Sequence, residues 1–198
     1  MRRKRMHVQQ AMADRDIFVK ERATEGAVER MRLDDRRVVV FATHGQVPGD
    51  VRGIDQAALA LSNPALSGDV NEDRFLTMQE VLGLKLDADW VVLSACNTAS
   101  SDGYSRDALS GLGRAFFFAG TRSILVSSWA VETTSARSLT VDLFTNESRF
   151  PGNRAEPLRQ AMLSLMKKQG TLSNGELYSY AHPVFWAPFS LVGDPGRP

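Results

Sequence analysis

The stretch VVVFATHGQ, residues 38–46, runs through four large apolar side chains and then gives way to Thr43, His44 and Gly45. A second stretch, WVVLSACNT, residues 90–98, has the same form but presents a cysteine, Cys96. Apolar runs without alternation suit strands covered on both faces, the pattern of a parallel sheet between two helical layers. An imidazole and a thiol each sit just past such a run, and in open parallel sheets ligands and catalytic groups gather beyond the carboxyl ends of the strands.

Working outward, residues 17–20 (IFVK) are a short apolar piece expected as a strand, and ATEGAVERM reads as a short helix behind a Thr24 cap. Residues 46–68 read as a long loop, within which AALALS is a peripheral strand or hairpin. In TMQEVLGL, Thr77 and Glu80 stand at capping-box spacing and predict a helix start. SRDALSGLGRAFFFAG carries Leu109, Leu112 and Phe116 at helical spacing, with Gly120 placed to end the helix. SILVSSW is a third buried strand, followed by a helix capped by Thr133 or Thr134 and running through Leu139 and Leu143. NRAEPLRQAMLSLMKKQG is another helix, with lysines at its negative end and a terminating glycine; FSLVG is a final strand. The alternation predicts an α/β fold, a mainly parallel sheet with helices on both faces, in one domain spanning residues 1–198.

Composition narrows the function classes. The apolar fraction of 43%, the charged fraction of 24% and a net charge of +1 describe an ordinary globular chain without a nucleic-acid or membrane footprint. The basic start, MRRKRMHVQQ within residues 1–15, reads as a solvated arm. No apolar run approaches the ~18 residues of a span, and no apolar stretch of a secretory signal follows the basic start. A reducing, cytoplasmic location is the expectation. A single cysteine excludes a disulfide within the chain, so Cys96 is either a small buried hydrophobe or a reactive thiol. Three histidines and one cysteine offer no ligand pair at metal spacing, so neither a metal nor another cofactor is expected. His7 is expected in solvent, His182 in a structural role before Pro183, and Phe116–Phe118 in the core. GLGRAFFFAG is no phosphate loop, because its glycines lie inside a helix.

The chemistry open to the two strand ends is nucleophilic. A thiol becomes a strong nucleophile as a thiolate, and an imidazole can take its proton and later protonate a leaving amine. His44 is therefore the candidate base and Cys96 the nucleophile that would form a thioester with a peptide carbonyl. The backbone N–H groups of Gly45 and Cys96 are candidate oxyanion donors, each worth ~3 kcal/mol in the transition state. A lone cysteine after a strand is more often structural, and a lone His-Gly is as often a turn. The pairing of both at strand ends, in that order, is far more specific.

VVVFATHG, FLTMQEVLGLKLDADWVVLSACNT, ALSGLGRAFFFAGTRSILVSSWAV and HPVFWAPFSLVGD, collinear between residues 23 and 194, together resemble the CHAT family. These are caspase-like domains usually attached to tetratricopeptide repeats. The resemblance implies a three-layer caspase-like fold and a His44–Cys96 dyad, whose separation of 52 residues (96 less 44) is close to the ~50 of caspases. It further implies a cysteine endopeptidase that cleaves a specific protein partner. SSWAVE matches the family's segment beside the substrate cleft, which makes Ser128, Trp129 and Glu132 candidate substrate-binding residues, although many relatives carry aspartate in place of Glu132. Asp102 is a further candidate, able to pair with a basic substrate side chain, with a solvated loop carboxylate the favoured reading. The context SACNT differs from that of caspases, so a preference for aspartate is not implied.

One departure stands out. Caspase-like domains begin with a strand in the middle of the sheet, and the first fifteen residues here contain no run that would form it. Either the chain is a fragment of a longer protein or another segment takes that place: an upstream repeat domain, an activating partner or a second copy. The alternative function is a non-catalytic signalling or scaffold module that keeps the caspase-like fold.

Overall fold

The structure, a computed structural model, describes residues 16–46, 48–49, 51–67, 73–93, 104–129, 131–172 and 174–197, leaving aside the side chains of 66–67 and 104–110. Its first helix, α1, is Glu25–Arg30, and Thr24 caps it by accepting the Ala27 N–H at 3.1 Å. The strand expected at residues 17–20 is not formed. Ile17 and Val19 are exposed, the chain turns into a 3₁₀ helix at Lys20–Arg22, and Asp16 is tied to Arg36 by an ion pair of 2.6 Å. Without a neighbour to complete a ladder, an apolar piece alone does not make a strand.

Strand β1 is Val38–Phe41, β2 Gly45–Gln46, β3 Ala58–Ala60, helix α2 Pro64–Ser67 and β4 Phe75–Thr77. Helix α3, Met78–Gly83, starts in the predicted capping box: Thr77 and Glu80 each satisfy the other's backbone N–H. Then follow β5, Trp90–Leu93; α4, Tyr104–Ala119; β6, Ser123–Ser127; and α5, Thr133–Glu147. Helix α6, Ala155–Met166, the hairpin β7, Gln169–Thr171, with β8, Leu177–Ser179, and β9, Phe189–Gly193, complete the order.

The central sheet runs β1-β5-β6-β9, with the first three strands parallel and β9 antiparallel. Alternation along β5 and β6 divides the core. Val91, Leu93 and Ile124 pack with Val81 of α3 and Leu112 and Phe116 of α4. Trp90, Val92 and Leu125 face the other way, against Leu139 and Leu143 of α5 and Leu158 and Leu165 of α6. Each of these fully buried apolar side chains contributes about 2 kcal/mol, and the two-sided burial explains why β5 carries no polar residue.

Strand β1 departs from the expectation of cover on both faces. It is an edge, no strand among the described residues lies outside it, and Val40 is 48% exposed. The run of three phenylalanines is also only partly core: Phe116 is fully buried, whereas Phe118 is 82% exposed. At α5 the cap is Glu132 rather than a threonine, because its carboxylate reaches two backbone N–H groups, those of Thr134 and Ser135, at 2.8 and 2.7 Å. The glycine expected to end α6 lies instead in β7, where the Tyr178 ring occupies the place a Cβ on Gly170 would need.

Candidate active site

The parallel register of β1 and β5 pairs Val38 with Trp90 and Phe41 with Leu93. Both strands therefore stop at the same level of the same rim. His44 lies three residues beyond Phe41, and Cys96 lies three residues beyond Leu93 in the sequence. Cys96 and Asp102 themselves fall outside the described residues.

The backbone beyond β1 is held by a second, smaller sheet of order β2-β3-β4, antiparallel throughout. The Thr43 hydroxyl donates to the Ala60 carbonyl, and the Ala60 N–H donates to the His44 carbonyl at 2.8 Å. His44 and Ala60 thus form a hydrogen-bonded pair, so the next pair, Gly45 and Leu59, is of the non-hydrogen-bonded kind. The Gly45 N–H consequently points away from β3, toward the outer edge of the small sheet. Gly45 is buried and His44 exposed.

On the far side of β5, the segment after β6 is pinned to the C-terminal part of the chain. The Ser128 N–H donates to the Pro188 carbonyl at 3.0 Å, and the Trp129 indole N–H donates to the Val184 carbonyl at 3.2 Å. Ser128 and Trp129 are both exposed. Glu132 spends its carboxylate on the start of α5 and also accepts from the Tyr180 hydroxyl at 3.4 Å. Burial would raise its pKa, but the hydrogen bonds from Thr134 and Ser135 outweigh that and hold it below the ordinary glutamate value. His182 caps the 3₁₀ helix Pro183–Phe185 through Nδ1, which accepts the Val184 N–H at 3.2 Å.

The sequence reading missed the small sheet as the holder of His44 and Gly45. Strand β2 is two residues long and leaves no periodic signal, and Thr43 shows its role only once Ala60 is brought beside it. No helix among the described residues is long and apolar enough to cross a membrane. Among the same residues no cluster of three or more His, Cys, Asp or Glu side chains is arranged to hold a metal.

Comparison with known proteins shows the family to which the chain belongs. The chain is 29% identical over 119 residues to the mouse (Mus musculus) tetratricopeptide repeat protein 28, a match that takes in 60% of this chain and 4% of that protein. The CHAT domain pattern matches residues 2–194, and the chain belongs to the CHAT domain family, which is related to the caspase-like peptidases.

Proposed function

We propose that this domain is a caspase-like cysteine endopeptidase that cleaves a specific protein partner through a His44–Cys96 dyad and a thioester. The observation that carries the reading is the shared rim: β1 and β5 end in register, with histidine and cysteine at the same offset beyond them. In the reaction His44 takes the thiol proton, the Cys96 sulfur attacks the scissile carbonyl, and the Gly45 and Cys96 N–H groups stabilise the oxyanion. His44 then protonates the leaving amine, and water hydrolyses the thioester. Ser128 and Trp129 border the cleft, and Glu132 acts by holding the start of α5. The domain works in the cytoplasm, joined to repeats of the kind named in its mouse relative.

The chain's only cysteine makes the test direct, because any thiol label reports Cys96 alone. Alkylation by iodoacetamide across a pH series is expected to show a midpoint below the ~8.5 of an ordinary thiol. H44A should return the midpoint to that value. C96A should abolish cleavage or self-processing without unfolding the domain. A midpoint that H44A leaves unchanged overturns the dyad.

A second reading, the non-catalytic scaffold module, is favoured by one feature: β1 has no strand outside it among the described residues and Val40 is exposed, which suits a strand supplied from elsewhere. Under that reading Cys96 alkylates as an ordinary or buried thiol at every pH.

A further inference from the structure

The hairpin of β7 and β8 stands against the first turns of α5, and between them lies a groove of about 520 Å³, within the ~300–1,000 Å³ usual for ligand sites. Register decides which groups face it. The Tyr180 N–H donates to the Lys168 carbonyl at 3.1 Å, so these two residues are a hydrogen-bonded pair, as are Gly170 and Tyr178. Cross-strand partners share a face, so Lys168, Tyr178 and Tyr180 project together toward Thr134 and Ser138 of α5. Lys168 is the one charged residue that lines the groove among the described residues. Its ammonium donates to the Ser138 hydroxyl at 2.6 Å and to the Asp142 carboxylate at 2.8 Å, which leaves one of its three N–H groups to spare. The Asp142 carboxylate is shared with the Ser164 hydroxyl, at 2.8 Å. The Tyr178 and Tyr180 hydroxyls lie 3.0 Å apart and lead on to Glu132, which sets the groove on the rim where β6 ends. The same pairing turns the N–H and C=O groups of Gln169 and Thr171 away from β8. Both residues are exposed, and neither has a backbone partner on that outer side among the described residues.

We propose that this groove and the outer edge of β7 form a docking site for an extended, acidic segment of a partner protein. The segment adds to the hairpin as a further antiparallel strand, its main chain pairing with Gln169 and Thr171. The residue between those two pairing positions lies opposite Gly170, and its side chain falls on the face of Lys168. A carboxylate there takes the spare Lys168 N–H. An extended acidic peptide is the occupant that uses both features. A small anion leaves the strand edge unpaired, and a basic or apolar segment leaves the lysine unanswered. Docking does not rest on the peptidase reading; under that reading the segment belongs to the substrate and binds beside the cleft that Ser128 and Trp129 border.

The probe is the blocked peptide acetyl-Thr-Val-Glu-Val-Thr-amide, with a counterpart carrying glutamine at its centre, titrated into the isotope-labelled full chain and followed by NMR. The amide signals of Gln169 and Thr171 should move and their exchange with solvent should slow. At low salt the glutamate peptide should bind about fivefold tighter than the glutamine one. K168M should erase that preference. T171P removes an outward N–H but no hydrogen bond of the hairpin, and should abolish binding of both peptides. H44A, which addresses the dyad, should bind the peptides as the wild type does, so the two readings fail separately. Equal affinity for the two peptides, or titrations that leave Gln169 and Thr171 unmoved, overturns the proposal. So does acetate alone if it reproduces the shifts of the glutamate peptide, which would assign the groove to small anions. Should K168M or T171P fail to fold, the wild-type titrations decide.

Discussion

Gly120 is the residue at which α4 turns back toward β6, and two facts fix its identity. Its φ is +113°, where an L side chain is strained, and a Cβ there would meet the Leu86 carbonyl oxygen at 2.2 Å. That contact is with backbone, and the backbone is anchored, since the Leu86 N–H donates to the Ala119 carbonyl at 2.7 Å. G120A is therefore expected to cost about 2–4 kcal/mol in chemical denaturation. Gly113, about two turns earlier, is the opposite case. A Cβ there meets nothing nearer than the Ile124 Cδ1 at 3.9 Å, an ordinary contact. G113A should stabilise by up to about 1 kcal/mol through helix propensity. If both substitutions destabilise equally, backbone conformation is not what separates the two sites. Gly120 was legible in the sequence because a helix end is a local event; the neighbour that forbids a side chain there was not.

At the scale of elements, the same division between local and distant causes governs what was readable. The capping box of α3 was legible because donor and acceptor lie three residues apart, and the structure forms both halves. T77A removes the acceptor for the Glu80 N–H and a buried hydroxyl that donates to Glu80, and should cost about 1–2 kcal/mol in thermal or urea unfolding. T77S, which keeps the oxygen, should recover most of it; an equal loss for both would assign the effect to the methyl group. The β2-β3-β4 sheet was hidden for the complementary reason. Its strands are two or three residues long, and AALALS becomes the middle strand only because Thr43 and Gly45 on one side and Phe75–Thr77 on the other supply partners. The edge position of β1 was hidden too: VVVF reads the same whether one or both neighbours exist. The start of α5 was misread by one residue, because Glu132 reaches the N–H groups that Thr133 or Thr134 was expected to satisfy. His44 and Gly45 were legible as strand-end residues, but what holds them is a long-range contact.

Across the whole molecule, the two rims of the central sheet have different work. One rim carries the strand ends that lead to His44 and Cys96; the opposite rim is tied by charge around Asp89, just ahead of β5. Arg37, leading into β1, donates to Asp89 at 2.7 Å, and Arg154, ahead of α6, reaches it at 3.2 Å. Arg122, leading into β6, lies at 3.6 Å, and Arg154 also bonds Asp194, which follows β9, at 2.9 Å. All four strands are thus linked at one end, leaving the other end for the loops of the site. No spacing in the sequence announces this, since the charges are scattered and meet only when the strands align. Burial alone would raise the Asp89 pKa, but the Arg37 hydrogen bond and the charges of Arg37, Arg154 and Arg122 outweigh it and hold the carboxyl below its ordinary value. The linkage sign follows from that lowered value: the stabilisation is present above the unfolded value of 3.8 and is lost as pH falls below it. D89N keeps the shape and removes the charge, leaving guanidinium groups without their shared carboxylate. It is expected to cost about 2–3 kcal/mol at neutral pH and to flatten the acid limb of the stability profile, both read by urea unfolding between pH 3 and 7. Because the two rims are separate, the Cys96 alkylation midpoint should be the same in D89N as in the wild type under conditions where both are folded. A shifted midpoint would show that the charge cluster reaches through the sheet to the site, and an unaltered unfolding curve would show that the arginines find other partners.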